Sequence, residues 1–98
     1  MKVQLHDEVE DEIEAAFDWY QLQRESLGLE LLSEYQTAIA KIAAHPNRWP
    51  RIDHDPVARS VRLDRFPFRI IYDPHDGFCI ILAFMHTSRR PGYWQERR

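Results

Sequence analysis

The residues able to do chemistry collect in the second half of the chain. Residues 86–98 read HTSRRPGYWQERR, where four arginines stand beside His86, Tyr93 and Trp94. Guanidinium groups grip carboxylate or phosphate through paired N–H donors, aromatic rings stack, and imidazole titrates near neutrality. Arg62 and Arg69 add two more cations in VRLDRFPFRIIY. Residues 48–98 carry ten Arg, no Lys and six Asp/Glu, whereas residues 1–47 carry ten Asp/Glu and three Lys/Arg. Two readings of this asymmetry stand open. The basic half meets an anionic partner or substrate, or the two halves pair with each other, acidic helices against basic strands.

Other chemistries find little support. The single cysteine, Cys79, allows no intrachain disulfide and no Cys-rich zinc site, and fits a reducing cytoplasm. Asp53, His54 and Asp55, with His45 and His75, follow no ligand spacing, so no metal and no cofactor is expected. The longest apolar run, FCIILAFM, falls well short of the ~20 residues of a membrane helix. The N-terminus turns acidic by Asp7, which does not fit a secretory signal, so a cytoplasmic location is expected. Ninety-eight residues make one domain, spanning 1–98.

The elements that must position these residues follow from periodicity. KVQLH alternates as a short strand. Val9, Ile13, Ala16, Phe17 and Tyr20 recur at helical spacing up to about Arg24, with Asp7 and Glu10 placed to cap the start. Ser26 is a candidate cap for a second helix bearing Leu31, Leu32, Tyr35, Ala38, Ile39 and Ile42, which ends before Pro46. Residues 46–57 read as a loop. Val61 and Leu63, then FRIIY and FCIILAF, read as three strands of an antiparallel meander, with DPHDG at 73–77 as a turn. The order β-α-α-β-β-β makes an α+β fold, a helical hairpin packed on a small, mainly antiparallel sheet.

Three stretches in this order carry a family resemblance: FDWYQLQRESLGLELLSEYQTAIAKIAAHPNRWP, VRLDRFPFRIIYD and FMHTSRRPGYW. The chain resembles the RelE/ParE superfamily, toxins of bacterial type II toxin–antitoxin systems. The first stretch looks like the family's helical hairpin, the second like its FP-[YF]-R strand pair, the third like its H-x-x-R-x-P-x-x-W ending. The last two look more like the ParE and plasmid-stabilisation side. The resemblance implies a cognate antitoxin that orders on binding, and toxin–antitoxin hetero-oligomers. ParE-like members act on DNA gyrase; RelE-like members cleave mRNA on the ribosome. A third reading is a non-toxic relative that only binds its partner.

Nuclease action needs a base for the 2′-hydroxyl, cations for the developing charge and an acid for the leaving oxygen. Arg62, Arg69, Arg89 and Arg90 supply cations, Tyr93 a proton or a stacking face, and His86 the one candidate base. Similar RelE-like nucleases carry lysines beside the strand that here reads ARSVRLD; this chain has only Lys2 and Lys41. In the gyrase reading Arg89, Arg90 and Tyr93 contact the target. Each residue also has a structural reading. Arg62 pairs with Asp64 or a helix carboxylate, Arg69 needs an ion-pair partner or an anion, and His86 holds the chain end by a hydrogen bond. Trp94 anchors the end on the sheet, continuing or closing the fourth strand, and QERR is a solvated tail. Trp19 lies off the apolar stripe and marks a candidate antitoxin contact.

Overall fold

Apolar spacing is enough to build the helical layer of this protein. The computed structural model describes residues 1–98. It has β1 (Lys2–Leu5), α1 (Asp7–Gln23), α2 (Leu27–Ala44), β2 (Arg59–Arg62), β3 (Phe68–His75) and β4 (Phe78–His86), with a 3-10 turn at Gln95–Arg97. Val9 and Ala16 of α1, and Leu31, Tyr35, Ala38 and Ile42 of α2, are buried. They lie three, four or seven residues from the next on each helix, the spacing of one helical face. No helix is long and apolar enough to cross a membrane.

The helix ends differ from expectation. His6, not Asp7, is the N-cap of α1, its Nδ1 accepting from the Glu8 N–H at 3.3 Å. Asp7 has moved inside the first turn, where it faces the positive end of the helix dipole. Ser26 makes no capping bond and takes a left-handed conformation at φ 67°. Gln21 does that work from the neighbouring helix: its Oε1 accepts from Gly28 N at 2.7 Å. The helices pack tightly at Gly28, since a Cβ there would lie 2.6 Å from the carbonyl oxygen of Phe17.

The sheet order is β1-β4-β3-β2, with β1 parallel to β4 and the other pairs antiparallel. β3 and β4 occupy the middle and are covered on both faces, which is why their sequences run almost continuously apolar. The face toward the helices holds the larger cluster, with Ile70, Tyr72, Ile81 and Phe84 essentially inaccessible. Phe68 and Phe84 stack there at 4.5 Å between centroids. The outer face, turned away from the helices, holds Ala58, Ile71, Leu82, Ala83 and Met85 under Trp94. Tyr72 ties the loop after α2 to the sheet, its hydroxyl donating to Pro46 O at 2.6 Å, and burial pushes that phenol up to about 12.

Two strand ends were misplaced by local sequence signals. β3 runs through Asp73 and Pro74 to His75, leaving only Asp76 and Gly77 as the turn. Pro74 is tolerated because β2 ends its pairing at Tyr72, so the proline's missing N–H faces an unpaired edge. β4 stops at His86, and residues after it turn away rather than extend the strand.

Gly28→Ala should lower stability by about 1–3 kcal/mol, because backbone must move to admit the methyl. Chemical denaturation would show it as a lower midpoint with unchanged slope.

Candidate functional site

β1 covers only part of the β4 edge. Its last main-chain contact is the His6 N–H to Ile81 O at 2.9 Å, and beyond that point β4 continues to His86 with no strand on that side. Side chains take over. Glu12 of α1 accepts from the Phe84 N–H at 3.1 Å, and Arg97 Nη1 donates to Leu82 O at 2.9 Å. The two bond each other at 2.8 Å, with side chains only 13% and 8% exposed. An acid and a base thus satisfy the donor and acceptor that a strand would otherwise meet. The same carboxylate accepts from the Tyr93 hydroxyl and sits 3.8 Å from Arg89. Arg89 and Arg97 lie over the Tyr93 ring at 3.9 and 4.9 Å. Glu8 adds a second carboxylate to Arg97 at 2.8 Å.

This cluster fixes the state of Tyr93. Burial first, then the hydrogen bond to Glu12, hold its hydroxyl well above the ordinary phenol range. Its hydroxyl donates to Glu12 in this arrangement.

The terminal QERR is not a solvated tail. Besides Arg97, Arg98 forms a two-pronged contact with Asp55 at 2.6 and 2.7 Å and another with Asp73 at 2.8 and 2.7 Å. The Asp55 side chain is 1% exposed, and its carboxylate also accepts from the N–H groups of Val57 and Ala58. Arg98 above all, then those backbone donors, hold its carboxyl well below the usual range. Arg98 in turn lies over the Trp94 ring at 5.3 Å, and Trp94 is 2% exposed. Sequence reasoning missed both arginines, because their partners stand at residues 8, 12, 55 and 73 and no local pattern links them.

The remaining candidates divide between the two faces of the sheet. Arg62 and Arg69 oppose each other in the β2–β3 register, and directly opposed residues project from the same face. Neither has a carboxylate within ion-pair distance; Arg62 does not pair with Asp64 or a helix, because Glu34 turns instead to Arg65. Arg69 has one contact, Nη1 to Ser60 Oγ at 3.4 Å. Arg69 and Ser60 line a cavity of about 270 Å³ on the outer face, with Arg51, Ile52, Ile71, Met85 and Trp94. Arg90, also without an ion pair, directly precedes Pro91 at the cavity wall. His86 falls on the helix side, opposite Phe68, with its ring edge against that phenyl at 5.1 Å. Its Nδ1 accepts from the Ser88 N–H at 3.0 Å, holding the turn that follows β4. The structure therefore sets Arg62 opposite Arg69, joins Arg89 with Tyr93 and brings His86 to one cleft with Arg89, Glu12 and Arg97, but leaves His86 and Arg69 across the sheet from each other. Trp19 stands free of the core at 56% exposure, with Leu22 at 84% one turn further along α1. No cluster of side chains is arranged to hold a metal.

Residues 3–91 match the family model described as ParE toxin of type II toxin-antitoxin system, parDE. The chain belongs to the ParE toxin family. A solved structure of the chromosomal ParDE TA system from P. aeruginosa shares this fold, with a TM-score of 0.77 at 17% identity over 88% of this chain and 95% of that one. No curated protein matches the sequence. The family match ends before Gly92, so Tyr93, Trp94, Arg97 and Arg98 lie beyond the matched span. In this ParE-family chain the closing segment is nonetheless the piece that completes both the β4 edge and the outer face.

Arg98→Ala leaves two buried carboxylates unpaired. Breaking a buried pair costs about 3–5 kcal/mol, reduced here to roughly 2–4 because Arg98 is 31% exposed. The variant should also lose much of the wild type's acid sensitivity. Folded Asp55 binds its proton more weakly than the unfolded chain does. Its contribution is therefore complete above about pH 5 and declines as pH falls below about 4. Urea midpoints measured between pH 3 and 7 for both proteins check the amount and the window.

Proposed function

We propose that this protein is the toxin of a type II toxin–antitoxin pair, and that it arrests growth by binding its target through the outer face of the sheet. DNA gyrase is the leading target in this reading, as the resemblance to ParE-like toxins implies. The observation that carries this reading is the sorting of the arginines. Arg24, Arg65, Arg89, Arg97 and Arg98 all hold carboxylates. Arg48, Arg51, Arg59, Arg62, Arg69 and Arg90 hold none; of these, Arg51 and Arg69 line one cavity, and Arg62 stands opposite Arg69 in the strand register. An acidic protein that leaves these cations unpaired keeps them for an external anion.

The mRNA-cleaving reading is the weaker one. It needs base, cations and acid around one phosphate, and here the candidate base His86 lies on the other side of the sheet from Arg69. Tyr93 and Arg89 are engaged by Glu12. The cognate antitoxin docks on the other side of the molecule in this proposal, where Trp19, Leu22 and Leu29 are exposed at the hairpin end.

Induction of the protein alone should stop growth, with DNA breaks and filamentation and no cleavage of mRNA between codons. Replacing Arg62 and Arg69 together by Gln should raise survival at least about tenfold, the loss expected for one charge-assisted contact. His86→Gln should remain as toxic as wild type. Cleavage of mRNA on induction would replace this reading by the nuclease. Normal growth would leave a relative that only binds its partner.

A further inference from the structure

We infer that the outer-face cavity receives an acidic peptide segment of a partner protein, in which a carboxylate sits beside an apolar side chain. The inference rests on the outer face being the contact surface of the toxin, and it names the chemistry that surface accepts.

Charge comes first. Arg62 and Arg69 stand opposite each other in the β2–β3 register, and like charges at opposed positions favour an anion nearby. Arg69 is half-buried, and one Ser60 hydroxyl at 3.4 Å leaves most of its five donors unused. Arg51 approaches from the preceding loop on the same cavity. Arg98 offsets one of the two charges of Asp55 and Asp73, so the acids held on this face leave less negative charge than the arginines at the cavity supply.

Shape and polarity narrow the class. At about 270 Å³ the cavity lies just under the ~300–1,000 Å³ of small-molecule sites, which suits one or two side chains. Much of its wall is apolar: Ile52, Ile71, Met85 and Trp94 stand directly beside Arg69 and Arg51. A phosphate has no use for that wall, and a base finds no open ring to stack on, since Trp94 is 2% exposed. Nucleic acid affinity also grows with the number of phosphates neutralised, and two cavity arginines with Arg62 beyond them, on a protein of net charge −3, make a short track. A peptide supplies both halves at once, the carboxylate for the guanidinium fork and the neighbouring apolar group for the apolar rim at Ile52, beside the edge of Trp94.

Three probes decide it: a blocked hexapeptide of alternating Glu and Leu, its Gln–Leu counterpart, and hexathymidylate. Each is titrated into the full chain while the Trp94 indole and Arg69 Nε–H resonances are followed by NMR. The Glu–Leu peptide should shift both signals saturably in the millimolar range or tighter. The Gln–Leu peptide should bind at least about tenfold more weakly, and Arg69→Gln should weaken the Glu–Leu peptide by a similar factor. Arg69 makes no ion pair, so the variant should keep a dispersed spectrum; Arg51→Gln, exposed at the rim, carries the comparison if it does not. Equal binding of the two peptides overturns the inference. So does tighter binding of hexathymidylate at the same residues, or the absence of a saturable shift at Trp94 and Arg69. If these fail while induced protein still arrests growth through Arg62 and Arg69, the toxin reading survives and only the acidic-peptide chemistry falls.

Discussion

The pairing of Glu12 with Arg97 against the open edge of β4 is the constraint on which much of this molecule depends. A central strand must satisfy its N–H and C=O groups on both sides, and β1 is four residues long where β4 is nine. Leu82 O and Phe84 N are left at a buried edge, and only a donor and an acceptor delivered together can meet them. Glu12 brings the acceptor from the first helix and Arg97 the donor from the end of the chain. Because each also neutralises the other, neither is a lone buried charge. The contact joins α1 to β4 and the closing segment, with Glu12 more than seventy residues before Phe84 and Arg97.

From that contact the outer face follows. Once Arg97 is fixed at the β4 edge, the chain before it lays Trp94 over Ile71, Leu82 and Met85, and the next residue brings Arg98 to Asp55 and Asp73. The sheet then has a cover on the side where no helix packs. The cover is partial, and the gap between it and the loop at Pro50–Ile52 is the arginine-lined cavity. The structural ion pairs and the free cations are thus two outcomes of one arrangement. The closing segment uses its own arginines to hold itself down and leaves Arg51 and Arg69 uncovered beside it.

The helical hairpin, the strand meander and the α+β class were legible because each rests on periodicity within about twenty residues. Boundaries were less so. Pro74 reads as a turn residue, yet it sits in β3, since its partner strand has already ended there. Ser26 reads as a cap, yet Gln21 from the facing helix supplies the bond. At the site, Arg62 and Arg69 were found by type, and their register across β2 and β3 puts them together. His86 was also found by type, but strand alternation places it on the opposite face. Its imidazole serves the backbone of the following turn.

What the amino-acid order determined by itself was the inventory: two amphipathic helices, three apolar strands, an acidic half and an arginine-rich half. Those are properties of neighbours in the chain, and neighbours are what a sequence displays. Tertiary structure alone decided which arginines are consumed and which remain free. Arg97 and Arg98 look like solvated ends until Glu8, Glu12, Asp55 and Asp73 are brought beside them. Arg62 looks paired until Glu34 is seen turned toward Arg65. An ion pair is a relation of distance, and these distances close only when the sheet, the hairpin and the closing segment have packed.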